Sequence, residues 1–191
     1  MPADTPADSS PRGALRRLDK IMETQELKAF LAGVYCGRTA TVSRDGYPYV
    51  VPNLFVWMDE RIFLHTARHP GHFLANVEFC DRVCFEADQP GETFAYGSVE
   101  CDTSIAFRSV VIFGRINIVS DPATKRRFFT AFMEKYAPQD SWGRAKGSFP
   151  RIDATIVYAI VPEIMTGKQA ALPSADKRWT PSAPRAPITR D

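Results

Sequence analysis

Hydrophobic positions along the 191-residue chain recur with two periods, and the changes from one to the other divide it into elements. Leu27, Phe30, Leu31 and Val34 stand at i, i+3, i+4 and i+7, one helical face, with Thr24 as the expected cap, Glu26 in the first turn and Gly33 and Gly37 near the end. Alternation then takes over. Residues 38–43, the turn Arg44-Asp45-Gly46 and residues 47–56 predict a hairpin. Its second strand carries Pro48 and Pro52, which have no N–H for a ladder, so it is expected at a sheet edge or bulge. Residues 61–66 form a short apolar run suited to a buried strand, and Phe73, Leu74 and Val77 return to helical spacing behind Pro70, the expected first helical residue.

The second half repeats the scheme. Residues 82–87 predict a strand, residues 88–93 a loop, and residues 107–119 a long strand with Val110, Ile112, Ile116 and Ile118 on one face and Arg115 and Asn117 on the other. Asp121-Pro122 is a cap followed by a first-turn proline, opening a helix whose Phe128, Phe129, Phe132, Met133 and Tyr136 make a broad apolar stripe, assigned to core packing. Residues 152–161 alternate again and residues 163–168 continue the strand beyond Pro162. Six or seven strands with three helices, joined by short links that imply antiparallel pairing, predict a mainly β protein with peripheral helices (α+β), a small closed or split antiparallel β-barrel. Side chains fill the interior of so small a barrel, which sends any nucleotide-sized ligand to an outer face or a subunit seam.

Composition narrows the partners. Residues 1–13 are rich in Pro, Ala, Asp and Ser and are expected to be disordered, residues 14–170 to form one folded domain, and residues 171–191 to be a proline-rich tail. Net charge is +2, from 24 basic and 22 acidic residues mixed along the chain, which argues against nucleic acid as the main partner. No apolar run approaches the ~20 residues of a membrane span, and the polar start lacks a secretory h-region, so a cytoplasmic address is expected. Cys36, Cys80, Cys84 and Cys101 lack metal-site spacing and read as free thiols.

The chemistry gathers where strand hands over to helix. All three histidines, His65, His69 and His72, fall within eight residues, interleaved with Thr66, Arg68, Pro70 and Gly71. The first N–H groups of a helix lack internal partners and carry the positive end of its dipole, so an anion is favoured there, and Arg68, His69 and His72 can add charge-assisted hydrogen bonds. The same residues also suit an ordinary connection with its polar groups in water. A metal site is not expected, because His65 lies on a strand and no Cys, Asp or Glu stands nearby at a ligand spacing.

Four pieces, in order, resemble a known family. They are Asp45-Gly46-Tyr47-Pro48 leading to Val51-Pro52-Asn53; Phe63-Leu64-His65-Thr66 followed by Gly71-His72; Phe107-Arg108-Ser109-Val110 continuing to Phe113-Gly114; and Thr166-Gly167-Lys168. Residues 37–169 resemble the flavin-binding split-barrel superfamily that includes pyridoxamine 5′-phosphate oxidase, in particular its nitroimidazole-resistance (nitroreductase-like) branch. The resemblance implies a homodimer with one FMN at each end of the seam. By position, Pro52, Asn53, Leu54 and Phe55 match the strand beside the isoalloxazine, His65 and Thr66 the pair near its ring and ribityl chain, and Gly71-His72 the phosphate turn, with Arg68 and His69 alongside. Ser109 stands where relatives offer the flavin a polar side chain, and Asn76 is a further candidate contact. Departures matter too: Phe73 replaces a lysine common in the phosphate turn, Met165 replaces an aromatic near the terminal glycine, and basic groups for pyridoxamine phosphate are missing, so that compound is not the expected substrate.

The leading expectation is an FMN-dependent oxidoreductase that takes a hydride from NADH or NADPH and passes electrons to a small electron-poor acceptor such as a nitro compound, with His65 and Lys168 as candidate catalytic side chains beside the ring. The alternatives are a flavin- or haem-binding module without turnover, with His65 or His69 as haem ligand, and a deazaflavin-dependent reductase.

Overall fold

The computed structural model describes residues 17–95, 103–137 and 147–174; residues 1–13 and most of the expected tail lie outside them, as does Cys101. Among the described residues three helices, α1 (Thr24–Gly33), α2 (His72–Phe79) and α3 (Pro122–Tyr136), surround seven strands: β1 (Gly37–Val42), β2 (Pro48–Asn53), β3 (Phe55–Met58), β4 (Arg61–Ala67), β5 (Arg82–Ala95), β6 (Thr103–Ile118) and β7 (Thr155–Ala170). Every pairing is antiparallel, in the order β2-β1-β5-β6-β7-β4-β3. The two edge strands, β2 and β3, are consecutive in sequence and separated only by Leu54. One residue cannot span a flat seven-stranded sheet, whose edges would lie ~28 Å apart. The sheet therefore curls until its edges meet at Leu54, a split barrel with its opening on that side.

The core has two compartments. Inward-facing Phe55, Ile62, Leu64, Phe85, Val110, Ile112, Ile116, Tyr158 and Ile160 pack with Leu27, Phe30 and Leu31 of α1 and Phe73 and Val77 of α2. On the outer face Val56, Phe63, Val157 and Ala159 are covered by Phe128 of α3, with Phe129 and Phe132 beside it. β7 is thus buried on both faces from Ile156 through Ile160, and the sequence there loses its polar alternation.

Local departures from the sequence reading have identifiable causes. Glu23, not Thr24, caps α1, through a reciprocal pair with Glu26. Residues 47–56 are two strands, because the chain changes sheet edge at Leu54. Pro70 lies outside α2, which starts at His72 behind the cap residue Gly71. Residues 88–93 are no loop: β5 runs through them to Ala95 and absorbs the irregularity as a register shift between Pro90 and Thr93. Residues Ile152–Ala154 form a 3-10 turn ahead of β7. Ile118, assigned to the buried face of β6, is exposed near the strand end. The capped start of α3 is as expected, with Asp121 accepting from the N–H groups of Ala123 and Thr124. No described helix is long and apolar enough to cross a membrane.

Candidate functional site

At the end of β4 the chain turns sharply. The Arg68 N–H donates to the Ala154 carbonyl at 3.0 Å, tying the corner to the start of β7, and the His69 N–H donates to the Ala67 carbonyl at 2.9 Å. Gly71 then caps α2 without any side chain to accept from the first turn, and the first helical bond runs from the Ala75 N–H to the Gly71 carbonyl at 3.0 Å. The leading N–H groups of α2 thus have no side-chain cap, and orphan helix donors attract an anion. Gly71 has an extended backbone that any residue adopts, and a Cβ added there would meet nothing within 4 Å. The space beside Gly71 is therefore open. Arg68, His69 and His72 are exposed around it, and none has an ion-pair partner among the described residues. The His72 ring lies 5.6 Å from that of Tyr49 on β2. Phe73 points the other way, buried with its ring edge-on to Tyr158 at 5.2 Å, so the corner draws its positive charge from its exposed neighbours.

His65 and Thr66 are adjacent on a strand and so face opposite sides. His65 faces α3, with its ring 5.8, 5.5 and 5.0 Å from those of Phe128, Phe129 and Phe132. Its Nδ1 is buried without a hydrogen-bond partner, and burial holds its pKa below the ordinary histidine value, so the imidazole is neutral at pH 7. Thr66 faces inward, its Oγ1 3.1 Å from the Tyr158 hydroxyl, whose own pKa burial raises.

Pro52, Asn53 and Leu54 lie where the sheet edges meet. Pro52 and Leu54 are exposed, whereas Phe55 is fully buried, with its ring edge-on to Phe85 at 4.8 Å. The Asn53 Oδ1 accepts from the Thr39 hydroxyl at 2.8 Å, and buried Asn76 donates from Nδ2 to the Thr41 hydroxyl at 3.0 Å. Thr39 and Thr41, both buried in β1, are positioning groups that the sequence reading missed. Their signal was present: two threonines two apart on the inward face of an alternating strand.

The end of α3 grips the same place. The Phe55 N–H donates to the Tyr136 hydroxyl at 3.0 Å, and that hydroxyl lies 2.8 Å from the carbonyls of both Phe55 and Tyr35. The Lys135 ammonium donates to the Phe55 carbonyl at 3.2 Å.

Ser109 and Lys168 stand at another level of the sheet from the start of α2. The register sets Lys168 opposite Ser109 and His65 opposite Val157, so the stretch of β7 between the two levels measures roughly 35 Å at about 3.3 Å per residue. The helix corner and the Ser109–Lys168 pair thus stand at different levels of the sheet, with Pro52 between them: Pro52 pairs with Arg38, Arg38 with Glu86, and Asp88, two residues on, with Ser109. Among the described residues no group of three or more His, Cys, Asp or Glu side chains gathers as metal ligands.

The comparisons agree with this architecture. The chain resembles the flavocytochrome Anf3 of Azotobacter vinelandii at 20% identity over 96% of this chain and 91% of that one, with a TM-score of 0.72. It resembles an FAD- and haem-binding protein of Mycobacterium smegmatis at 19% identity over 90% of this chain and 89% of that one, TM-score 0.68. A protein of Bacteroides thetaiotaomicron assigned to 5-nitroimidazole antibiotic resistance aligns at 20% identity over 78% of this chain and 85% of that one, TM-score 0.64. At such identities the likeness concerns the fold. None of the curated proteins matches this sequence. The model of the family described as pyridoxamine 5′-phosphate oxidase matches residues 23–169, nearly the whole described barrel with α1, and by that match this chain belongs to the pyridoxamine 5′-phosphate oxidase family.

Proposed function

We propose that this chain is an FMN-binding flavoprotein acting as a homodimer: an oxidoreductase that draws electrons from NADH or NADPH and delivers them to a small electron-poor acceptor. The observation that carries the reading is the uncapped amino end of α2, open in front of Gly71 and ringed by Arg68, His69 and His72 without ion-pair partners among the described residues. A phosphate monoester dianion matches that set of donors. Pro52, Asn53 and Leu54 would form the wall against the ring, with buried Phe55 and Asn76 and inward-facing Thr66 behind it. The separation of Ser109 and Lys168 from the corner favours a two-chain site in which one protomer supplies the phosphate corner and its partner supplies Ser109 and Lys168.

The residues fit the phosphate end of such a cofactor, and flavin bound there would supply hydride acceptance and electron transfer. The remaining work belongs to the chain. The α2 donors and Arg68 would hold the charge and Lys168 would place a cation near the electron-rich edge, while His65, enclosed by the phenylalanines of α3, would stand back from the ring as an uncharged group. A haem reading through His65 is disfavoured by the three phenylalanine rings that bracket it.

The test compares two ligands that differ only in the phosphate. Replacing Arg68 and His72 together by Ala should weaken FMN about a hundredfold while riboflavin changes by less than about threefold, since hydrogen bonds to a charged group contribute ~1.5–3 kcal/mol each. Equal losses for both ligands would remove the corner from the binding site. A Soret band in the purified protein would favour haem over flavin.

A further inference from the structure

The backbone around Leu54 is held from a direction that neither barrel packing nor strand pairing requires. Phe55 opens an edge strand, and an edge residue that turns its N–H and C=O away from its neighbour normally gives them to water. Here the Tyr136 hydroxyl accepts from the Phe55 N–H, and its single proton serves the Phe55 and Tyr35 carbonyls, each 2.8 Å away. Lys135 adds its ammonium to the same carbonyl, reaches the Leu31 carbonyl at 3.5 Å and sits 4.1 Å from the centre of the Phe55 ring. On the other side of Leu54, Asn53 is pinned by Thr39. Leu54, which pairs with no strand, is therefore fixed by two tethers.

Lys135 is an odd choice for mere packing. It is half-buried, and no carboxylate pairs with it among the described residues. The groups facing it are Cys36 from the α1–β1 connection and Tyr136 of its own helix, against which Tyr35 packs, while Lys28 on α1 is engaged with Glu60 and Glu134 on α3 is exposed. An apolar side chain of similar length would fill the space without the cost of desolvating a cation.

We propose that Tyr136 and Lys135 are positioning residues for the flavin site: they lock the Phe55 backbone so that Pro52, Asn53 and Leu54 present a fixed wall to the ring, and the ammonium of Lys135 sets how firmly that wall is held. This role rests on the FMN reading given above. It carries a pH signature, because burial pushes the Lys135 pKa down from 10.5 to about 8. As pH rises through that value the ammonium loses a proton and its grip on the Phe55 carbonyl weakens. The effect on folding has the opposite sign: between about 8 and 10.5 the unfolded chain holds a proton that the folded chain has released, so this group alone makes the fold more stable as pH rises. A change that acted only through stability would tighten FMN over the range in which the wall loosens.

The experiment measures FMN affinity by flavin fluorescence for the wild-type protein and for Lys135→Arg, Lys135→Met and Tyr136→Phe from about pH 7 to about pH 9.5, with amide hydrogen exchange at Phe55 in flavin-free protein alongside. The wild type should lose about fivefold in affinity over that range, Lys135→Arg should stay flat and tight, and Lys135→Met should be flat and weak. Tyr136→Phe should weaken FMN by a similar factor and speed exchange at Phe55 while the thermal midpoint stays well above the assay temperature. If all four proteins bind FMN alike at every pH, the positioning role is overturned and the flavin site stands. If the wild type binds no FMN at any pH, the flavin reading falls and takes this role with it.

Discussion

Three histidines close together in sequence have entered two environments, and the pleat of β4 is the reason. His69 and His72 stand in solvent at the corner, whereas His65 is enclosed by phenylalanines of α3 with an unpartnered Nδ1. Clustering was legible in the sequence. The separation was not, because it depends on which face of β4 the helix nearly sixty residues later comes to cover. Similarly, Asn53 and Asn76 each share one hydrogen bond with a threonine of β1, a partnership between strands and helix that the sequence alone does not show. His65 gives a prediction at this scale. Its pKa is held below the unfolded value near 6.5, so on acidification the unfolded chain takes up the proton first, and stability falls as pH drops below that value. His65→Leu should abolish this part of the acid slope in thermal melts taken across the range; an unchanged slope would mean that His65 is not buried neutral.

For the elements, helix and strand identity followed from periodicity, whereas ends and breaks followed from contacts that no local pattern contains. The run from Tyr47 to Val56 alternates smoothly through Leu54, yet the chain crosses there between opposite edges of the sheet, a change imposed by closure of the barrel. The proline-glycine segment after Asp88 looks like a loop but stays in the ladder because β6 opposite it continues without interruption. Two substitutions probe this level. Phe128 is fully buried between α3 and the outer sheet face, and Phe128→Ala should cost ~3–5 kcal/mol in denaturant unfolding. Gly114 faces the register shift between β6 and β7, where a Cβ would collide with the Val161 carbonyl oxygen, so Gly114→Ala should cost ~1–3 kcal/mol. A neutral result at Gly114 would mean that the backbone there yields freely.

The phosphate corner and the Ser109–Lys168 pair stand at different levels of the sheet, which makes the two-chain site testable by complementation. A chain carrying Arg68→Ala and His72→Ala should bind little FMN, as should one carrying Ser109→Ala and Lys168→Ala. After unfolding and refolding together they should recover about a quarter of the wild-type sites, since half the dimers are mixed and each mixed dimer holds one intact site. No recovery, with dimers confirmed by light scattering, would place all the contacts within one chain. The order of strands has a further consequence, for biosynthesis. The β1–β2 and β3–β4 hairpins leave the ribosome first, coupled at Leu54, each with one side still unmatched. β7 is made last and is the strand that joins β4 to β6. Until it emerges, the nascent chain holds two sheet fragments with bare backbone along their margins, the condition in which chains adhere to one another, and termination before Thr155 should yield an aggregating product.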